Sequence, residues 1–404
     1  MSLKLVLISP SGSLVDSEKR LHTEHVDQMC QVISRLGEQG IRVAIWSNHR
    51  WRLKDGTGLA DFFSQRSGVQ VDAVGSATTG FPARRRSGSV DPILRKYDVL
   101  KREVILVGNG EEDVLAGVNN KLLLVRPNWY PTTSEYGFLV ESIAEFERFC
   151  VIFGLRKHPI YWAVNTGKLN VYAMGPYSTR ITEYATFGTD AVQSAKHEKG
   201  TLNFWHQLIV STLYFSGLIE KVDYIATYPG HSVGEKNRVI DQVMSQLGKC
   251  FRKTFYPDLI VRHTTAVKSA YATPEQKTYK NQLATIKLNR RPKKYGVEPR
   301  HSNISLGNKT VLVVDDICTN GRSLESARFF IESAGGKTIL FSWLKTINTN
   351  YLEIDSRPTI NPFMSNNIEA EPATKPHGYH QQIVEQEAAS EIASLLDFYN
   401  SWKT

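Results

Sequence analysis

Short apolar runs alternate along the chain with stretches whose apolar residues recur at helical spacing. The runs LKLVLIS (residues 3–9), IRVAIWS (41–47) and EVILVGN (103–109) each end in small or polar residues. Between the first two lies TEHVDQMCQVISRLGEQG, with the period of an amphipathic helix and Gly40 as its stop signal. Strand–helix–strand alternation of this kind predicts a doubly wound parallel sheet over residues 1–128.

The pattern then changes. Residues 129–200 are aromatic-rich and read as a connecting or hood region, with a hairpin in PIYWAVNTGKLNVYAMG turning at Asn165, Thr166 and Gly167. A helix is predicted from Leu202 to Phe215. A second alternation over 201–350 contains VDYIATYP, the helix NRVIDQVMSQLG, and the runs FYPDLIVRH, KTVLVVDD and KTILFSWLK. Residues 351–404 read as a long loop, rich in Pro and Asn around 355–380, and a last helix from Gln381 to Trp402. The expected fold class is α/β: two doubly wound parallel-sheet domains with an aromatic-rich insertion.

The 404 residues are 41 % hydrophobic, enough for sizeable cores in two or three domains. The four cysteines, Cys30, Cys150, Cys250 and Cys318, form no C-x-x-C pair, which argues against a zinc cluster or disulfide framework. The opening MSLKLVLIS lacks the features of a signal peptide, and no apolar run is long enough to span a membrane. The expectation is a soluble cytoplasmic protein that makes no membrane contact. The net charge of +9 and the clusters RRR (Arg84–Arg86) and NRRPKK (Asn289–Lys294) favour anionic partners, a nucleic acid or a phosphorylated metabolite. A solvated loop is the commoner use of such a cluster.

The stretch VLVVDDICTNGRS (Val311–Ser323) concentrates chemistry. An apolar strand runs into Asp315 and Asp316, and CTNGRS leads to the helix LESARFFIESAGG. Ligands of open parallel sheets bind beyond the carboxyl ends of strands. Backbone N–H groups at a helix start form an anion cradle, to which Thr319 and Ser323 add hydroxyls and Gly321 a tight turn. The adjacent carboxylates are suited to a ribose diol.

With Asn320 and Ser323 at two threonine positions, this stretch resembles the signature of the type I phosphoribosyltransferases. The resemblance implies that Asp315 and Asp316 hold the ribose hydroxyls of phosphoribosyl pyrophosphate, together with Mg2+. It implies that Thr319, Asn320, Gly321, Arg322 and Ser323 hold its 5-phosphate. Upstream, Tyr228 to Glu235, including Gly230 and His231, resembles the family's pyrophosphate loop. The segment from Leu259 to Val297 resembles the mobile hood of the competence-associated (ComF-type) branch, especially at Arg262, Gln276, Gln282 and Leu283. Arg290 and Arg291, with Lys293 and Lys294, are candidates to reach the leaving pyrophosphate. Thr319 stands where purine-salvage members carry an aspartate, so a purine-base mechanism is not implied. Cys318 reads as a buried small hydrophobe rather than a reactive thiol.

The first 127 residues resemble the haloacid dehalogenase superfamily, with its catalytic carboxylates lost. In LVLISPSGSLVDSE the two motif aspartates fall on Ser9 and Ser11; in VAIWSNHR, Ser47 takes the phosphate-contacting position. In VILVGNGEEDVLAGVNN, Asn109 replaces one aspartate and Asp113 is retained. The motif lysine has Arg84, Arg85, Arg86 and Lys96 as candidate stand-ins. A neutral serine without a base is a poor nucleophile, and magnesium favours carboxylate oxygen. The expectation is a pseudophosphatase frame.

The preferred function is a phosphoribosyltransferase acting at a nitrogen acceptor. Two rivals are a non-catalytic sensor of nucleotides or phosphoribosyl pyrophosphate that uses its basic surfaces on nucleic acid or protein, and an effector or toxin component that modifies nucleotides. A homo-oligomer is compatible with each.

Overall fold

In the computed structural model of the chain, the described residues are 2–131, 134–197, 199–234, 238–266, 273, 278–298, 303–356 and 358–402. The first sheet contains β1 (Leu5–Ile8), β2 (Arg42–Trp46), β3 (Val71–Val74), β4 (Val104–Val107), β5 (Leu123–Pro127) and β6 (Phe138–Val140). Its order is β3-β2-β1-β4-β5-β6, with every pair parallel. All residues of β1 and β4 are buried, which explains their uninterrupted apolar sequences. The order reverses between β1 and β4, where a doubly wound sheet opens its binding crevice. The helix Thr23–Glu38 buries Val26, Met29, Cys30, Ile33 and Leu36, one stripe at helical spacing.

The remaining strands are β7 (Trp162–Asn165), β8 (Asn170–Tyr177), β9 (Tyr224–Thr227), β10 (Thr254–Tyr256), β11 (Ile260–Arg262), β12 (Ile286–Leu288), β13 (Thr310–Cys318), β14 (Lys337–Thr346), β15 (Tyr351–Ile354) and β16 (Thr374–His377). The second sheet has the order β10-β9-β13-β14-β8-β7, parallel except for the β7–β8 hairpin at its edge. β11 with β12, and β15 with β16, form separate antiparallel pairs.

Several boundaries differ from the sequence reading. Residues 129–200 are not a separate connecting region: β6 completes the first sheet, whereas β7 and β8 belong to the second. The run FYPDLIVRH divides into β10 and β11 because Pro257 has no N–H to continue a ladder. Within 351–404, the expected loop holds β16, which pairs with β15. The last helix is Ala388–Ser401, starting later than Gln381, because Ile383 makes a β-bridge to Trp162 first.

The helix Leu202–Phe215 joins the two units. Its residues are apolar almost all round, and every one from Leu208 to Phe215 is buried. On one side Tyr214 donates its hydroxyl hydrogen bond to the Val104 carbonyl of β4. On the other, Trp205 stacks on Trp343 of β14 with ring centroids 5.8 Å apart. A helix that is apolar on all faces needs cover on all faces. The two sheets supply it, and one hydrophobic cluster runs through both.

Candidate functional site

The second sheet opens beside the acidic pair. β13 pairs with β9 only as far as Val314 opposite Thr227, yet it pairs with β14 through Cys318 opposite Lys345. The strand therefore continues past Asp316 instead of ending there as the sequence suggested. What ends is its β9 neighbour, whose last pair is Thr227 with Val314, so Asp315 and Asp316 lie beyond that pairing.

Both aspartates are half-buried. Their backbone pins them: Asp316 N–H donates to Asp315 Oδ1 at 3.0 Å and Ile317 N–H to Asp316 Oδ1 at 2.8 Å. Burial first, and then the neighbouring Asp316 charge, push the Asp315 carboxyl well above the usual carboxylate range. Lys196, on the helix Thr182–His197, lies 3.0 Å from Asp316 Oδ2 and has its own pKa raised by that carboxylate against the cost of burial. This cation gave no signal in the sequence. It reaches the pair only because the helix packs on the sheet.

The loop after β13 is built as a rigid turn. Gly321 has φ +78°, and a Cβ there would stand 2.0 Å from Tyr351 Cε2. Tyr351 is held in turn by donating to Glu325 Oε2 at 2.9 Å. Gly321 caps the helix Arg322–Ser333, whose first-turn N–H groups, including that of Ser323, have no acceptor within the helix and carry its positive dipole end. Asn320 braces the turn by donating to the Asn350 carbonyl at 3.1 Å, while Arg322 Nη1 donates to Asn320 Oδ1 at 3.5 Å. Thr319 shares a hydroxyl hydrogen bond with Thr346 at 3.0 Å.

Beneath this loop is a second cation that the sequence reading did not single out. Lys345 is fully buried, and its Nζ donates to the carbonyls of Thr319 and Thr349, both at 2.6 Å, and to Thr349 Oγ1 at 2.7 Å. Burial lowers its pKa to about 8. A lysine among the apolar residues of KTILFSWLK is the signal that was present.

The loop after β9 leaves the neighbouring strand end. Tyr228 donates to Gln282 Oε1 at 2.6 Å, and Arg262 Nη2 donates to the same oxygen at 3.2 Å. Arg262 also donates Nε to the Gly230 carbonyl and Nη1 to Thr285 Oγ1 at 2.6 Å. Burial pushes the Tyr228 phenol up to about 12. The His231 carbonyl accepts from Ala266 N–H at 2.8 Å. Leu283 is a buried core residue. Glu235 and Gln276 lie outside the described residues.

Arg290 and Arg291 go elsewhere. In the antiparallel pair, Arg262 lies opposite Ile286 and Ile260 opposite Leu288, so residues after Leu288 leave from the end remote from Arg262. Arg290 sits over the Phe363 ring at 4.7 Å, and Arg291 Nε donates to Asn303 Oδ1 at 3.5 Å. Arg262, through Gln282, is tied to Tyr228 at the β9 end, and Lys196 to Asp316 on β13.

The crevice of the first sheet is occupied by its own side chains. Ser9, Ser47, Asn109 and Asp113 are buried around the β1 and β4 ends, and Ser11 is exposed. Asp113 Oδ1 accepts from Arg84 Nη2 at 2.6 Å, and Oδ2 from Gly110 N–H at 3.0 Å. Arg84 also donates to the Trp46 carbonyl at 2.6 Å. Of the four basic candidates, Arg84 enters the site; Arg85 faces Glu112, Lys96 faces Asp72, and the Arg86 carbonyl accepts from Asn120. Ser47 Oγ accepts from His49 N–H at 3.1 Å and Trp51 Nε1 at 3.0 Å. Asn109 lies on Gly12 so closely that a Cβ there would be 1.7 Å from Asn109 Oδ1.

These donor sets discriminate between the two crevices as magnesium sites. In the first, Asp113 is bonded to a guanidinium and Ser9, Ser47 and Asn109 are neutral, so the residues do not fit the ion. In the second, the adjacent carboxyl groups of Asp315 and Asp316 are the oxygen donors that would hold the ion, with Lys196 now beside Asp316. Among the described residues, no group of three or more His, Cys, Asp or Glu forms a metal cluster.

No family model and no curated protein matches the chain. Solved structures with partial likeness include deoxy-D-mannose-octulosonate 8-phosphate phosphatase from Haemophilus influenzae, 14 % identical over 37 % of this chain and 88 % of that one, with a TM-score of 0.26. A HAD-superfamily hydrolase from Geobacter sulfurreducens is 12 % identical over 36 % of this chain and 98 % of its own, with a TM-score of 0.25. For a hypothetical protein from Xanthomonas campestris the identity is 19 %, over 31 % of this chain, with a TM-score of 0.22; the chain spans 64 % of that protein's length. Among the described residues, no helix is long and apolar enough to cross a membrane.

Proposed function

We propose that the second α/β unit binds phosphoribosyl pyrophosphate with Mg2+ and transfers its phosphoribosyl group to a nitrogen acceptor, and that the first unit is a catalytically silent, dehalogenase-like frame. The observation that supports this reading is the adjacency of the β9 and β13 ends, which are neighbouring parallel strands. One loop contributes a helix-start anion cradle next to two carboxyl groups; the other is held by Arg262. The spacing suits a ligand with a phosphate, a diol and a second anionic group.

In the reaction, the bond from the anomeric carbon to pyrophosphate breaks as the carbon–nitrogen bond forms, and the acceptor loses a proton. Asp315 and Asp316 orient the diol and hold the ion carried by the ligand. The loop from Thr319 to Ser323 fixes the 5-phosphate. The contribution of the protein is positioning and charge neutralisation.

A binding-only reading is favoured by one observation, the placement of Arg290 and Arg291 away from the acidic pair. Calorimetry with magnesium and phosphoribosyl pyrophosphate tests the common core of both readings. Saturable binding that weakens in Asp315→Asn with Asp316→Asn is expected; no binding to the parent protein at saturating ligand overturns both. Pyrophosphate release in the presence of a metabolite extract separates transfer from binding.

A further inference from the structure

Away from both strand-end crevices, a cavity of about 180 Å³ lies where the two units meet. Its apolar wall comes from both: Val114, Val118 and Leu122 from the first, Ile219 and Phe251 from the second. A largely apolar pocket that opens to solvent removes apolar surface from water when an apolar group fills it.

The cavity is also lined by cations from the two sides. Lys121 follows the helix Glu111–Asn120, while Arg252 and Lys253 follow the helix Arg238–Phe251. Lys121 and Arg252 have φ +57° and +51°, left-handed conformations in which a glycine usually ends a helix. Both side chains follow a helix C-terminus, whose negative dipole end suits a cation. Lys249, also at the wall, is matched by Glu135 at 2.7 Å across the joint. Burial lowers the Lys253 pKa, and Asp223 attracts this cation more strongly than Lys121 repels it. Four cations, Lys121, Lys249, Arg252 and Lys253, line the cavity against one carboxylate, Glu220, and that excess of positive charge at the exposed rim favours an anion.

We infer that this junction is a binding site for a small amphiphilic anion, with a short aliphatic or aromatic body in the Val118–Ile219 cavity and a carboxylate between Lys121, Arg252 and Lys253. Such a ligand touches both units and stabilises their docking. The site is independent of the phosphoribosyl reading, since it shares no residue with either strand-end crevice.

The test uses the full chain with sodium hexanoate and, as its uncharged counterpart, 1-hexanol. Calorimetry and thermal unfolding are expected to show saturable binding and a raised midpoint for hexanoate, and neither for the alcohol. Lys121→Gln combined with Lys253→Gln removes charge at the rim and is expected to weaken hexanoate binding about tenfold or more. Val118→Trp fills the void and is expected to abolish binding; if that variant does not fold, the rim variant carries the test. The inference is overturned by absent or non-saturable hexanoate binding, by equal binding of the alcohol, or by a rim variant that binds as the parent does.

Discussion

Arg84 Nη2 donates to Asp113 Oδ1 across 2.6 Å, with both side chains almost wholly enclosed at the end of the first sheet. This one bond converts what resembles a metal ligand into half of a structural ion pair. Breaking it from one side leaves a buried charge without a partner, which costs about 3–5 kcal/mol. Arg84→Met should therefore lower the urea midpoint of unfolding strongly. Adding Asp113→Leu to it should restore much of the loss, because no orphaned carboxylate then remains.

Phosphatase activity should be absent from the parent protein with magnesium and p-nitrophenyl phosphate. Ser9→Asp with Ser11→Asp should stay inactive as well, since Asn109 still fills the space over Gly12 and Arg84 still holds Asp113. Colorimetric release of nitrophenol checks both. Turnover by the parent that is lost in Ser9→Ala would show the first crevice to be a working site.

Asp315 should trade stability for binding. Its pKa in the fold lies well above the usual range, through burial and the Asp316 charge. The stabilisation it contributes is complete below the ordinary carboxylate pKa and is lost as pH rises through the raised value. Asp315→Asn removes that loss, so it should be more stable than the parent at neutral pH and bind phosphoribosyl pyrophosphate more weakly. Denaturant titration across the acid range, paired with calorimetry, reads both effects.

The Lys345 ammonium should matter to loop geometry and leave a mark above neutral pH. Replacing it with Met leaves the Thr319 and Thr349 carbonyls without that donor, a cost of about 1–3 kcal/mol. Because its folded pKa is lowered to about 8 from 10.5, the parent gains stability as pH rises through that window and loses it as pH falls back through about 8. Lys345→Met should lack this slope. Unfolding midpoints measured from neutral to alkaline pH compare the two.

The elements themselves were legible because they rest on local periodicity. The helix Thr23–Glu38 has one apolar stripe, β1 and β4 are continuous apolar runs, and Leu202–Phe215 was readable to its ends. The TNGRS turn was legible for the same reason: a glycine with positive φ before a helix is a local requirement.

Pairing was not legible, since a strand's neighbours depend on residues distant in the chain. Nothing between 129 and 200 announces that β6 joins one sheet while β7 and β8 join the other. The same limit applied to charge. Arg290 and Arg291 form a conspicuous basic run, yet the antiparallel register of β11 and β12 carries them away from Arg262. Lys196 stands in no recognisable motif, yet a helix laid on the sheet brings its ammonium to Asp316.

Local pattern placed most of the helices and strands, and it set Asp315 and Asp316 just ahead of a helix start. Long-range packing alone set Arg84 against Asp113, Lys345 under the Thr319 loop, and Lys121 on the same cavity as Lys253. The reason is physical. Backbone conformation follows from neighbours a few residues apart, whereas the field at a charged group depends on every element packed around it.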